Sequence, residues 1–217
     1  MGSQLIDGFG RVHRDLRISV TDRCNFRCGY CMPADGLEWL PRSELLTFEE
    51  IERVARLLVE RHGIESIRLT GGEPTVRANL PDLVRRLAAL GVDLSLTTNG
   101  ATLRLLAEPL AQAGLRRINV SLDSLRPERF AELTLRDELP RVLDGIEAAI
   151  DAGLNPVKVN AVVMRGVNDD ELVDFARFGR NCGVVIRFIE FMPLDADEAW
   201  SGGAVVGQDE ILERIGE

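Results

Sequence analysis

The run "LRISV" at Leu16–Val20 alternates apolar and polar side chains without a break. Read as a β-strand, it places Leu16, Ile18 and Val20 on one face and Arg17 and Ser19 on the other, because successive strand side chains point to opposite sides. The same alternation returns along the chain. "SIRLT" (Ser66–Thr70) sets Ile67 and Leu69 against Arg68 and Thr70, and "DLSLTT" (Asp93–Thr98) sets Leu94 and Leu96 against Ser95 and Thr97. "RINVSL" (Arg117–Leu122) opposes Ile118, Val120 and Leu122 to Asn119 and Ser121. "VKVNAVV" (Val157–Val163) opposes Val157 and Val159 to Lys158 and Asn160, and in "VIRFIEF" (Val185–Phe191) Ile186 and Phe188 flank Arg187.

Amphipathic helical patterns separate these runs. Thr47–Arg61 opens on "TFEE", which pairs Thr47 with Glu50 as a capping box, and Ile51, Val54, Ala55, Leu58 and Val59 follow at helical spacing. Leu80–Leu90, Leu103–Ala113, Leu139–Ala152 and Asp170–Asn181 read similarly, with Gly91, Gly114, Gly153 and Gly183 at their expected ends. Strands alternating with helices predict a parallel sheet with right-handed crossovers.

An open doubly wound sheet and a barrel both satisfy that order, and strand composition chooses between them. Strands covered on both faces read as near-continuous apolar runs. These strands carry cations on one face, and burying an unpaired charge against helices costs several kcal/mol. The reading is therefore an α/β fold: an open, partial barrel of six strands, a TIM-like (βα)6 arrangement, with Arg17, Arg68, Lys158 and Arg187 facing its interior. The alternative is that some of these cations point outward or pair with Glu65, Asp123 or Glu190. A concave basic interior calls for an anionic occupant, such as a phosphorylated ligand or a carboxylate-bearing cofactor.

Bulk composition limits the remaining options. The chain has 217 residues, 45% of them hydrophobic and 28% charged, with 35 acids against 26 bases and a formal net charge of −9. That balance argues against a nucleic-acid-binding module. No apolar run approaches membrane-spanning length, and no charged-then-apolar leader is visible, so the expected compartment is the cytoplasm. Thiols stay reduced there, and clustered cysteines point to metal or redox chemistry before disulfides.

Three of the four cysteines sit in "TDRCNFRCGYCMP" (Thr21–Pro33), directly after the first strand. Chemistry in α/β barrels gathers at this rim, the C-terminal ends of the strands. The spacing C-x3-C-x2-C of Cys24, Cys28 and Cys31 is too compact for a zinc site without a distant fourth ligand, whereas soft thiolates suit an iron–sulfur cluster. Three cysteines leave one iron of a four-iron cube open to a small molecule. Zinc held with Cys182 or His13, or a cluster completed by Cys182 for electron transfer, are the competing readings. Cys182 is expected to be a small buried hydrophobe, and His13 and His62 to be surface or core residues.

"CNFRCGYC", with an aromatic before its last cysteine, resembles the signature of radical S-adenosylmethionine (SAM) enzymes, and "LTGGEP" (Leu69–Pro74) resembles their SAM-binding glycine segment. "DGFGRVHRDLRISVTDRCNFRCGYCMP", "IRLTGGEPTVR", "LTTNG", "AGLRRINVSLDSL", "KVNAVVMRGVNDDE" and "IRFIEFMPL" together resemble the GTP 3′,8-cyclase family of molybdenum-cofactor biosynthesis. The resemblance runs from Asp7 to about Leu194.

The resemblance implies that Cys24, Cys28 and Cys31 hold one [4Fe–4S] cluster whose open iron binds SAM. It implies SAM contacts from Tyr30, Gly72 (through its backbone, where a side chain would obstruct approach), Ser121 and Met192. It implies GTP contacts from Arg17, Arg68, Thr97 and Lys158; Arg187 remains a candidate from strand alternation only. The implied chemistry is reductive cleavage of SAM to a 5′-deoxyadenosyl radical, hydrogen abstraction from C3′ of GTP, and attack of that carbon on C8. With no G-x4-G-K-[ST] segment, GTP would be held by distributed cations.

Residues 1–217 are expected to form one radical SAM core domain. Members of the family continue into a C-terminal region with a second [4Fe–4S] cluster, nucleotide-binding arginines and a terminal Gly-Gly, which this chain does not contain. Beyond Trp200, "SGGAVVGQDEILERIGE" reads as the start of one more helix, so the chain is expected to be an N-terminal portion or a shortened relative. The expected partners are GTP and an electron donor, with a homodimer as a further expectation and neither nucleic acid nor membrane.

Overall fold

The computed structural model describes residues 4–31, 38–193 and 200–216. Met32, Pro33 and Leu194, which take part in the family resemblance, lie outside the described residues. Six parallel strands form one sheet: β1 (Asp15–Ser19), β2 (Ser66–Thr70), β3 (Asp93–Thr98), β4 (Arg117–Ser121), β5 (Val157–Val163) and β6 (Val185–Glu190). Their spatial order is β1-β2-β3-β4-β5-β6, the order of the sequence. A doubly wound sheet reverses strand order at a switch point, and this sheet does not, so it is an open barrel wall with β1 and β6 as its edges.

Helices α1 (Phe48–His62), α2 (Leu80–Ala88), α3 (Leu103–Gln112), α4 (Pro127–Thr134), α5 (Leu139–Asp151) and α6 (Leu172–Cys182) lie between the strands, and α7 (Gln208–Gly216) follows β6. The capping box is present at α1: Thr47 accepts from the Glu50 N–H, and Glu50 accepts from the Thr47 N–H at 2.8 Å. Gly63 closes the same helix in the left-handed conformation. The helix predicted from Asp170 begins instead at Leu172, preceded by a 3-10 turn at Asp169–Glu171. α4 has no counterpart among the predicted elements. It is short, it starts at Pro127, and only Phe130 and Thr134 are buried along it, too few to print a helical period.

One face of the wall builds the core. Ile67, Leu69, Leu94, Leu96, Ile118, Val120, Val157, Val159 and Ala161 pack against Leu83, Leu87, Leu103, Leu110, Val142 and Ala149 of the helices. A smaller cluster of Val163, Leu172, Val206 and Ile211 docks α7 onto the end of β5 and α6. The other face of the wall remains for polar side chains, and the register stacks them in rows.

Candidate active site

Parallel pairing aligns Arg17 with Arg68, Arg68 with Ser95, and Ser95 with Arg117 in a single row. A second row aligns Thr97, Asn119 and Lys158, and a third aligns Ser121, Asn160 and Arg187. Asp15, Leu16, Arg17, Ser66, Arg68, Ser95 and Arg117 line a cavity of about 490 Å³. The side chains predicted to share a face do so.

Arg117 pairs with Asp93, whereas the acids weighed above as partners for the other cations are engaged elsewhere. Glu65 is taken by Arg14 at 2.8 Å, Asp123 by the Tyr30 hydroxyl at 2.5 Å, and Glu190 by the Gln208 N–H at 3.2 Å. The predicted alternative, in which those acids neutralise the interior, is therefore not what forms. Burial, followed by repulsion from Arg17, Arg187 and Arg117, pulls the Arg68 guanidinium below its usual range. Among the described residues, the Nε of Arg68, the Nε of Arg117 and the Oδ1 of Asn160 are buried without hydrogen-bond partners.

The cysteine loop sits at the opposite end of the same wall, after β1, and its backbone is held from three sides. From the α4 side, the Arg27 N–H donates to the Thr134 carbonyl at 2.9 Å, and Phe26 meets Phe130 edge-on at 5.8 Å. From the end of β3, Asn99 donates to the Asn25 side chain at 2.7 Å and lies 4.0 Å from the Cys24 sulfur. Within and beside the loop, Arg27 donates to the carbonyls of Cys24 and Phe26, and Arg136 to that of Asn25.

The glycine segment after β2 braces the third side. Gly72 donates its N–H to the Thr21 carbonyl and Glu73 to that of Arg23, both at 2.7 Å. A Cβ on Gly72 would lie 2.4 Å from the carbonyl oxygens of Asp22 and Arg23, and one on Gly71, at φ +142°, 2.3 Å from that of Thr21. Close packing on the cysteine loop is thus by itself enough to require glycine at position 72. Glu73 is buried and accepts from the Thr75 N–H and hydroxyl, the Thr98 hydroxyl and the Asn99 N–H. It ties the ends of β2 and β3 together beneath the loop, and burial raises its carboxyl pKa above the usual range.

All four cysteines are free, Cys24 and Cys28 half-buried and Cys31 exposed. Burial raises the pKa of each of the three loop thiols, that of Cys28 to about 12, and the neighbouring thiols and Asp123 add to the effect at Cys28. Ionising them together gathers negative charge that the loop does not itself balance, which is the donor set that a soft cationic centre stabilises. Among the described residues no three His, Cys, Asp or Glu side chains converge closely enough for a single ion.

Neither proposed fourth ligand is nearby. Cys182 is exposed on the outer surface, in a groove with Leu143, Ile146, Ile150 and Phe178, where it had been expected in the core. It ends α6, whose apolar stripe turns inward without it. His13 lies 3.6 Å from Asp7 in the turn before β1.

Tyr30, Gly72, Ser121 and Met192 all fall on this rim: in the loop after β1, in the loop after β2, at the last residue of β4, and just past β6. Asp123 is the rim residue that sequence reasoning weighed only as a partner for the cations. Its two carboxylate oxygens accept from the Tyr30 hydroxyl at 2.5 Å and the Val162 N–H at 2.8 Å. An acid just past the end of a barrel strand was the available signal.

Residues 18–179 match the radical SAM superfamily. The chain belongs to that superfamily. As a radical SAM chain it is 53% identical over 215 residues to the GTP 3′,8-cyclase of Rhodopirellula baltica, covering 98% of this chain and 60% of that protein. It is 51% identical over 214 residues to the GTP 3′,8-cyclase of Geobacter sulfurreducens, covering 98% of this chain and 65% of that protein. The chain thus spans about 60% of the length of the curated relatives it matches. Among solved structures it resembles Streptococcus suis SuiB bound to S-adenosylmethionine, with a TM-score of 0.70 at 18% identity, over 94% of this chain and 47% of that one. That likeness extends to the fold. Among the described residues no helix is long and apolar enough to cross a membrane.

Proposed function

We propose that this chain is the core domain of a radical SAM GTP 3′,8-cyclase of molybdenum-cofactor biosynthesis, working in the cytoplasm with an external electron donor. The observation that carries the reading is the division of one barrel face: three thiols at its rim, and a row of arginines deeper in, of which Arg117 is paired with Asp93 while Arg17 and Arg68 face the cavity.

Cys24, Cys28 and Cys31 would hold a [4Fe–4S] cluster. When bound, the cluster and SAM supply a 5′-deoxyadenosyl radical able to take hydrogen from C3′ of GTP. Tyr30, Gly72, Ser121 and Met192, spread around the rim, orient SAM. Arg17, Arg68 and Lys158 draw the triphosphate down into the barrel, where their charge counts for more than it would in water. Thr97, one row above Arg68 and Ser95, would orient the nucleoside. Anchoring the phosphates low leaves the ribose directed toward the rim, and holding reacting groups in register is most of what such a scaffold contributes.

The test is anaerobic reconstitution followed by calorimetry. The reading requires an iron-loaded chain whose electron paramagnetic resonance spectrum changes on adding SAM, and tighter binding of GTP than of guanosine. Colourless protein without iron removes the cluster assignment, and equal affinities for GTP and guanosine remove the assignment of the arginine row.

A further inference from the structure

We propose that Arg117 is the residue that receives the terminal phosphoryl group of the substrate and makes the site count phosphates. The inference rests on the GTP reading above and goes beyond it, since nothing there requires Arg117. Arg117 opens β4 and completes the row begun by Arg17 and Arg68, with Ser95 between it and Arg68. It lines the large cavity, and it also lines a small recess of about 10 Å³ with Arg68, Ser95, Asn119 and Lys158. That is room for roughly one water-sized atom.

No carboxylate lines the recess, and two of its donors have no partner among the described residues. The Nε groups of Arg68 and Arg117 are both buried without partners among the described residues. Asn119 turns its amide N–H groups toward the Leu96 carbonyl at 3.4 Å and the Thr97 hydroxyl at 3.5 Å, and Ser95 donates to the Ile67 carbonyl at 3.5 Å. Two guanidinium N–H groups and an ammonium therefore surround a space suited to a small, strongly negative acceptor. A phosphoryl oxygen has that chemistry, and as part of a chain it brings the rest of the anion into the adjoining cavity.

Asp93 fixes the geometry. It opens β3 and holds Nη2 of Arg117 in an ion pair, which orients the guanidinium plane and leaves its Nε edge toward the recess. A shorter chain leaves the recess empty and forgoes the Nε of Arg117, whereas Arg68 also faces the adjoining cavity, so the loss of Arg117 falls on the triphosphate.

The test measures GTP and GMP affinities of the anaerobically reconstituted full chain by calorimetry, for wild type, Arg117→Gln, Arg117→Lys and Arg116→Gln. Arg117→Gln is expected to weaken GTP by about 10-fold, the value of a charge-assisted hydrogen bond, and GMP by less than about 2-fold. Arg117→Lys keeps the charge but loses the fork, so a loss of about 3-fold on GTP alone is expected, and it carries the test if the glutamine variant does not fold. Arg116→Gln removes the same charge from the exposed neighbouring position and is expected to leave both affinities within about 2-fold. Equal losses on GTP and GMP in the Arg117 variants, or no loss on either, overturn the inference while the wild-type preference for GTP keeps the wider reading intact. A wild-type chain that binds GTP no better than GMP overturns both.

Discussion

The Tyr30 hydroxyl donates to Asp123 at 2.5 Å across 93 positions of sequence, joining the cysteine loop to the end of β4. The other Asp123 oxygen holds the Val162 N–H at 2.8 Å, so one buried carboxylate fastens the loop to two neighbouring strands. Asp123→Ala leaves a hydroxyl and an amide without acceptors and is expected to destabilise the chain by about 2–4 kcal/mol, at roughly 1–3 kcal/mol for each stranded group. Tyr30→Phe strands one oxygen of the buried Asp123 carboxylate and is expected to cost about 1–3 kcal/mol. If the bond is what positions the loop, the double variant is less destabilised than the sum of the singles by at least about 0.5 kcal/mol in urea titrations. Strict additivity would refute that coupling.

The contact of Gly72 with the carbonyls of Asp22 and Arg23 carries a second prediction. Gly72→Ala forces those carbonyls away, and Arg23 adjoins the first cysteine. The variant is expected to fold yet retain less than about half the wild-type iron after anaerobic reconstitution, because donor geometry tolerates little displacement. An alanine variant with full iron content would show that the loop can yield without losing its ligand arrangement.

Docking of α7 is expected to weaken in acid. Glu210 accepts from Arg165 at 2.6 Å and from Arg214 at 2.6 Å, and those partners hold its carboxyl below the usual range. A depressed folded-state pKa means that the contribution is fully present above the unfolded value of ~4.3 and is lost as pH falls through the folded one. Hydrogen exchange of Gln208–Gly216 should therefore accelerate, relative to Glu210→Gln, as pH drops from about 5 to 3. Parallel behaviour of the two proteins would exclude Glu210 as the acid-sensitive clasp.

Much of the barrel is legible locally. The strand faces of Ile67 and Leu69 against Arg68, or of Val157 and Val159 against Lys158, are written in a period of two, and the structure keeps them. The capping box at Thr47 is likewise a matter of four adjacent residues. α4 was not legible, because its role is to present Phe130 and Thr134 to a loop about a hundred residues earlier in the chain. The exposure of Cys182 was misjudged for a related reason: thiol chemistry favours burial, but its position on α6 faces it away from the wall.

The amino-acid sequence by itself determined the alternation that makes one face of each strand polar, the six-fold succession of strands and helices, and the triplet of thiols after the first strand. All of these depend on spacing between near neighbours. Only the tertiary structure decided that Arg17, Arg68 and Arg117 fall in one row, that Asp93 orients the last of them, and that Asp123 and Glu73 clamp the rim. Those relationships depend on strand order and register, which are set when the whole apolar face is buried at once and which no single segment encodes.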